Sequence, residues 1–305
     1  ISDLLQAYGA PPPNAALQAR VLVDAEMKGH PSHGLQRLPR ILQRIERGLV
    51  NPSTQGAAYW RSQAMLEVDG QCGLGPVVAM AALRQLGQRV GTTGIALATI
   101  RNSNHLGMLA WYVEQAAANG SIGVAMSSSE ALVHPYGGTR AMLGTNPLAI
   151  AVPTAARPLV LDLATSVVSM GKIHHYGATS RAIPLGWALD SEGQPTTDAD
   201  LARHGALTPF GDAKGYGLGL ALELLVAALA GSELAPQARG TLDADAVCNK
   251  GDVLILVQPS AEPDLAERLA SYLEAVRASS PVDPAVPVRV PGDDARCRRD
   301  KAAHP

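Results

Sequence analysis

Aromatic side chains are scarce in this chain: they are 4% of its 305 residues, and Phe210 is its one phenylalanine. Core and ligand contacts must therefore come from Leu, Val, Ile, Ala and Gly. Cysteine is scarce too. Three residues, Cys72, Cys248 and Cys297, odd in number and far apart, suit a reducing compartment and exclude a Cys-rich zinc site. Neither sign of charge prevails, and a net charge of −2 with a pI near 6.5 leaves no electrostatic footing for nucleic acid or an acidic membrane. Long apolar runs are missing. The longest, Leu218 to Ala230, is interrupted by Glu223 and is too short to span a bilayer. No basic-then-apolar leader opens the chain, so a cytoplasmic location is the default expectation. Ile1 is not a natural initiator, which predicts that the first residues of the protein precede it.

What is present suits a globular protein. Hydrophobic residues are 47% and charged residues 17%, and the length accommodates one large domain or two smaller ones. The pattern predicts a helix from a cap at Asn14 to about Lys28, and a second carrying Leu35, Leu38, Ile41, Leu42, Ile45 and Leu49. A strand at Ala64–Val68, a helix from Pro76 to Val90, a strand at Gly94–Ile100 and a small-residue helix from Gly107 to Ala118 follow. Further strands are expected at Ile122–Met126, Leu148–Val152, Leu159–Leu163 and Val253–Val257. Their unbroken hydrophobicity calls for a sheet covered on both faces. Ile173 to Phe210 reads as a surface excursion with a turn at Asp190–Gly193. Tyr216–Ala230 and Leu265–Arg277 read as helices, and the chain beyond Pro281 as a fraying end.

The pattern is organised around Ser32-His33-Gly34-Leu35-Gln36-Arg37, between the first two predicted helices. An imidazole and a hydroxyl stand there at the mouth of a helix, with Arg37 one turn further in. A titratable group and a planar cation a turn apart suit protonation of a carbonyl oxygen while a carboxylate is gripped. Arg40 and Arg44 read as the wet side of that helix.

The nucleotide fingerprint is not found. Neither Gly70–Gly75 nor Gly215–Gly219 has the dinucleotide spacing with an acid on a following strand. Asn102-Ser103-Asn104-His105-Leu106-Gly107 follows a buried strand and either binds a ligand or caps the next helix. Asp162-Leu163-Ala164-Thr165-Ser166 offers hydroxyls and backbone N–H groups to ribose or phosphate, or plain capping. Lys214 beside Gly215 at a helix start either meets a phosphate or is simply a solvated lysine. His30, His33, His174 and His175 are not joined by the further ligands a metal site needs, so no metal is expected.

Taken together, Ser32–Arg37, Asn102–Gly107, Gly144-Thr145-Asn146-Pro147, Asp162–Ser166, Gly171-Lys172-Ile173, Lys214–Leu218 and Pro291-Gly292-Asp293 are similar, in order and spacing, to the malate/L-lactate dehydrogenase family of the non-Rossmann type. That family includes ureidoglycolate, sulfolactate and diketogulonate dehydrogenases and reductases of cyclic imino acids. The resemblance implies an α/β fold: a non-Rossmann NAD(P)-binding sheet domain over 64–261, and a helical substrate-side domain built from both chain ends, 1–63 and 262–305. It also implies a homodimer acting on a small 2-oxo or 2-hydroxy acid with NAD or NADP. By position His33, with Ser32 beside it, matches the proton donor, and His105 competes for that role. Arg37, with Asn104, matches substrate contacts. Thr145, Asn146, Asp162, Leu163, Ala164, Thr165, Ser166, Lys172, Ala213, Lys214, Gly292 and Asp293 match cofactor contacts. Two departures stand out. Lys172 replaces the Asp of the imino-acid reductases, which leaves ketimine reduction as the alternative activity and a non-catalytic small-molecule binder as the rival from another class. The chain after Asp293 lacks the family's usual final apolar element.

Overall fold

The chain opens with three helices, α1 (Ser2–Ala7), α2 (Pro12–Met27) and α3 (Leu38–Glu46). The computed structural model describes residues 1–303. α2 starts before the expected cap: Pro11 holds the N-cap position and prolines fill the first turn, where a missing N–H is no loss. Asn14 is instead buried within the helix, and its amide donates to the Pro52 carbonyl at 2.9 Å. α3 starts later than expected. Pro39 stands in its first turn and its ring is barred from a helix interior, so Leu35–Arg37 wind as a separate 3-10 turn. Leu38, Ile41, Leu42 and Ile45 then close over Leu5, Ala10 and Ala15.

The edge strand β1 (Ala57–Trp60), unforeseen in the sequence, leads into β2 (Met65–Gly73), α4 (Gly75–Thr93), β3 (Ile95–Ser103) and α5 (Ala110–Ala118). Next come β4 (Ile122–Ser127), β5 (Leu148–Val152), β6 (Leu159–Leu163) and α6 (Met170–Ala178). β7 (Ala188–Leu189), β8 (Pro195–Thr196), α7 (Ala199–Ala202) and β9 (Ala206–Leu207) follow. α8 (Ala213–Ala230), β10 (Asp252–Val257), α9 (Leu265–Arg277) and α10 (Asp293–Ala303) complete the described chain.

Seven strands form one sheet in the order β1-β2-β3-β10-β4-β5-β6. Within it β2 and β3 are the one parallel pair; the other neighbours are antiparallel. The sheet is therefore not the parallel, doubly wound kind that carries the usual dinucleotide site. Both faces are covered, as the apolar strands require. Val68, Ala98, Ile100 and Leu254 pack with Val78 and Leu86 of α4 and Tyr112 and Val113 of α5. Leu97, Met126 and Val253 meet Leu222 and Val226 of α8 on the other side. By length and composition α8 is apolar enough to cross a membrane, yet it lies on this sheet.

Two further expectations are corrected. The stretch from Ile173 to Phe210 is not a bare excursion but part of a small lobe. Its three strands run in the order β8-β7-β9, and Ile173, Ile183, Ala188 and Leu207 share a core with Val133, Leu143 and Val168. Strands of two residues are too short to show a period. The expected turn within it is present, with Gly193 N–H donating to the Asp190 carbonyl at 3.1 Å. Nor does the chain beyond Pro281 fray throughout: α10 forms, Arg296 is buried, and the helix packs on α2. Both chain ends thus contribute to one helical layer; the final two residues of the 262–305 segment lie outside the described residues.

Candidate active site

A cavity of about 210 Å³ opens where the helical layer meets the sheet. Ser32, His33 and Arg37 enter it from the Pro31–Arg37 turns, His105 from the loop after β3, and Thr145 from the approach to β5. The sequence places the first three residues close together. The sheet brings His105 to them, with the two imidazole centroids 5.4 Å apart.

Local packing sets these side chains. The carbonyls of Asn104 and His105 press so close on Gly75 that a Cβ there has no room, and α4 begins against the loop that carries His105. Gly171, in the first turn of α6, leaves the same kind of gap for the Ser32 side chain. The Ser32 hydroxyl lies 3.1 Å from His33 Nδ1. Gly107 N–H donates to His105 Nδ1 at 3.0 Å. A backbone N–H only donates, so Nδ1 of His105 carries no proton and the neutral ring holds its hydrogen on Nε2.

The electrostatics are one-sided. Burial, the Arg37 cation and His30 bring the His33 pKa down to about 3. Burial, Arg37, His33 and Lys250 hold His105 well below the ordinary histidine range. Arg37 itself is pressed by burial to about 10, with Glu130 pulling the other way, so it stays charged at neutral pH. One of its terminal nitrogens donates to the Thr241 carbonyl at 3.0 Å, and its Nε is buried without a partner. A cleft lined by the charged guanidinium of Arg37, by two neutral imidazoles and by Arg40, expected on the wet side of its helix, suits an anion that also carries a hydrogen-bond acceptor.

Asn104 does not reach this cavity. Its oxygen accepts two bonds from Arg44, and its amide donates to the Cys72 and Gly73 carbonyls. Thr145 continues into a strip beside the cleft: its carbonyl accepts from Thr165 N–H at 2.8 Å and from the Thr165 hydroxyl at 2.9 Å. Phe210 N–H donates to the Thr165 carbonyl at 3.0 Å, bringing the start of α8, with Ala213 and Lys214 exposed, alongside. Leu163 and Ala164 are half-buried on this strip, and Ser166 turns its hydroxyl to the Val168 carbonyl. Asp162, at the end of β6, accepts from Ala110 N–H at 2.7 Å.

Other matched positions lie outside the cavity lining. Asn146 is fully buried and donates to Gly219 O and the Glu223 carboxylate. Lys172 is exposed, its ammonium 4.8 Å over the Trp187 ring. Asp293 spends both oxygens on Arg277, Arg296 and Val290 N–H, and Gly292 lies tight against Val160.

Several cavity residues escape the sequence reading. Ser127, Ser128 and Ser129 stand at the end of β4, where strand-end position was the available signal. Lys250 is buried in the wall, its ammonium paired with Asp252, which also accepts from Ser127 at 2.6 Å. A lone lysine before an apolar strand carries no such signal. Among the described residues no three His, Cys, Asp or Glu side chains converge as a metal site needs.

The profile of the malate/L-lactate dehydrogenase family matches residues 1–304. A dehydrogenase structure from Sinorhizobium meliloti is 57% identical, with a TM-score of 0.97, over 99% of this chain and 89% of that one. The (2R)-3-sulfolactate dehydrogenase (NADP(+)) of Chromohalobacter salexigens is 37% identical, over 90% of this chain and 81% of that protein. L-sulfolactate dehydrogenase of Methanocaldococcus jannaschii is 34% identical, over 96% of this chain and 86% of that protein.

Proposed function

Because the chain belongs to the malate/L-lactate dehydrogenase family, we propose that it interconverts a small 2-oxo acid and its 2-hydroxy acid with a nicotinamide cofactor. The observation that carries this reading is the meeting of Arg37, His33 and His105 on one cavity. Arg37 grips the substrate carboxylate through paired hydrogen bonds and so fixes which face of the carbonyl is presented.

The two imidazoles take different parts. His105, held neutral by Gly107 N–H, donates a hydrogen bond from Nε2 to the carbonyl oxygen. His33 is the ring free to carry a second proton, because the Ser32 hydroxyl beside Nδ1 accepts as readily as it donates. His33 therefore gives the proton to the oxygen in reduction and takes it back in oxidation. Burial and, after it, Arg37 keep His33 neutral; a carboxylate bound to Arg37 offsets its charge and so favours protonation of the ring.

NAD or NADP, held along the neighbouring strip, would supply the hydride. The strip fits such a cofactor. Thr145 borders it with Thr165 buried behind, the backbone at Ala213 opens a helix of eighteen residues beside it, and Lys214 adds a cation suited to phosphate. Asp162, Leu163, Ala164 and Ser166 border it. The NADP(+)-dependent relative supports NADP as readily as NAD. Lys172, stacked on Trp187, weighs against the cyclic imino acid alternative, whose reductases carry Asp there.

The outer face of α8 supports a pairing of two copies. Leu218, Leu224 and Leu225 are exposed there by 37%, 52% and 44%. A homodimer in the cytoplasm is the corresponding assembly, and light scattering in solution checks its mass. The activity test follows nicotinamide absorbance with NADH and NADPH against a panel of 2-oxo acids and cyclic imino acids. Consumption with a 2-oxo acid is expected. Consumption with cyclic imines alone would overturn the proposal.

A further inference from the structure

Arg44, which the periodicity puts on the wet side of α3, is 4% exposed. Its guanidinium lies between two loops. Nε and one terminal nitrogen donate to the Asn104 side-chain oxygen at 3.1 and 2.9 Å. The other terminal nitrogen donates to the carbonyls of Asp243 and Ala246 at 2.9 and 3.0 Å, with the Asp243 carboxylate 3.7 Å away.

Each arm ends on a loop that carries a residue of the cleft. Asn104 precedes His105, and its amide is pinned to the Cys72 and Gly73 carbonyls at 2.8 and 3.0 Å, so its orientation leaves Arg44 no alternative acceptor. The 240–246 loop carries Thr241, whose carbonyl accepts from Arg37 at 3.0 Å. That loop is drawn tight by Asp243, which accepts from the N–H groups of Gly240, Asp245 and Ala246, and by Arg47, which donates to the Ala244 carbonyl. Arg44 thus ties the two walls together directly.

We infer that Arg44 is a positioning residue that sets the imidazole of His105 and the guanidinium of Arg37 in one register, although it touches neither. Its N–H groups, fixed in a rigid plane, hold two loops at a set separation, and an ammonium lacks the planar fork needed to do the same. The inference rests on the reading of His105 and Arg37 proposed above.

The test uses the whole enzyme, the cofactor and a 2-oxo acid that the parent reduces, with rates expressed per cofactor-binding site titrated. Arg44→Lys is expected to raise KM and lower kcat together, each by about ten- to a hundredfold, the scale of one lost hydrogen bond to a charged group. The arms separate in two further variants, which also serve if Arg44→Lys does not fold. Asn104→Ser releases the imidazole arm and lowers kcat with KM nearly kept. Asp243→Ala loosens the loop arm and raises KM with kcat nearly kept. Unchanged constants per titrated site in Arg44→Lys, or both constants moving alike in the two single-arm variants, would overturn the inference. Arg37→Lys and His105→Ala are measured alongside. If they too leave both constants unchanged, the reading of the site fails rather than the role of Arg44.

Discussion

In the proposed reaction His33 bears the central chemical step, and its surroundings make two demands on experiment. His33→Gln retains a polar group that cannot be protonated near neutral pH. Its kcat is expected to fall by about a hundredfold or more, the usual share of a positioned acid or base, while cofactor affinity stays at the parent value. Direct titration of cofactor fluorescence checks the second half. The other demand concerns pH. In the free enzyme burial and Arg37 hold the His33 pKa at about 3, far under the ordinary 6.5. Oxidation needs the neutral ring, and a lowered pKa keeps the ring neutral as pH falls. When the hydroxy acid is oxidised, kcat/KM should therefore hold level from neutral pH down past the ordinary histidine value instead of dropping there. A drop centred at that value would show His33 titrating as an ordinary histidine. In reduction the sign reverses: the protonated ring is needed, so kcat/KM declines as pH rises.

Between elements, the close seats of helices against loops carry the geometry. The first turn of α6 meets Ser32 at Gly171 with no room for a methyl group. Gly171→Ala should displace Ser32 and with it the Nδ1 contact of His33, lowering kcat by about ten- to a hundredfold with the fold intact, as small misplacements do. Steady-state kinetics beside circular dichroism would decide it. Contacts of this kind explain what is legible in the sequence. The Ser32–Arg37 motif can be read because its residues are neighbours in the chain, and β4, β5, β6 and β10 because their apolar runs are unbroken. Arg44 cannot. Helical period puts it beside Arg37 and Arg40, and only the 240–246 loop, far along the chain, turns that face inward. Lys250 is hidden for a similar reason: its partner Asp252 is a near neighbour in sequence, but its burial arises where β10 pairs with β4. Asn14 misleads in the opposite way: a good capping residue is drawn into a helix that the preceding prolines have already begun.

At the scale of the whole molecule, a buried charge cluster joins the helical layer to the sheet. Lys28, at the end of α2, is fully buried between Asp24 at 2.7 Å and Glu114 of α5 at 2.6 Å, with Arg299 of α10 3.8 Å from both carboxylates. Lys28→Met would leave the two carboxylates to Arg299 alone and should cost about 3 kcal/mol, the low end of the scale for breaking a buried pair by removing one partner. Urea denaturation reads that loss. The seam matters to function because the cleft lies along the same junction: Ser32, His33 and Arg37 come from the helical side, His105 and Thr145 from the sheet side. The measurement that bears most directly on the account supplies the enzyme with nicotinamide deuterated at its transferable position and a 2-oxo acid, then weighs the product. Hydride transfer to a 2-oxo acid with His33 as the proton donor yields a 2-hydroxy acid carrying deuterium on the carbon next to its carboxylate, formed by the parent and nearly lost in His33→Gln. Product without deuterium at that carbon would contradict it.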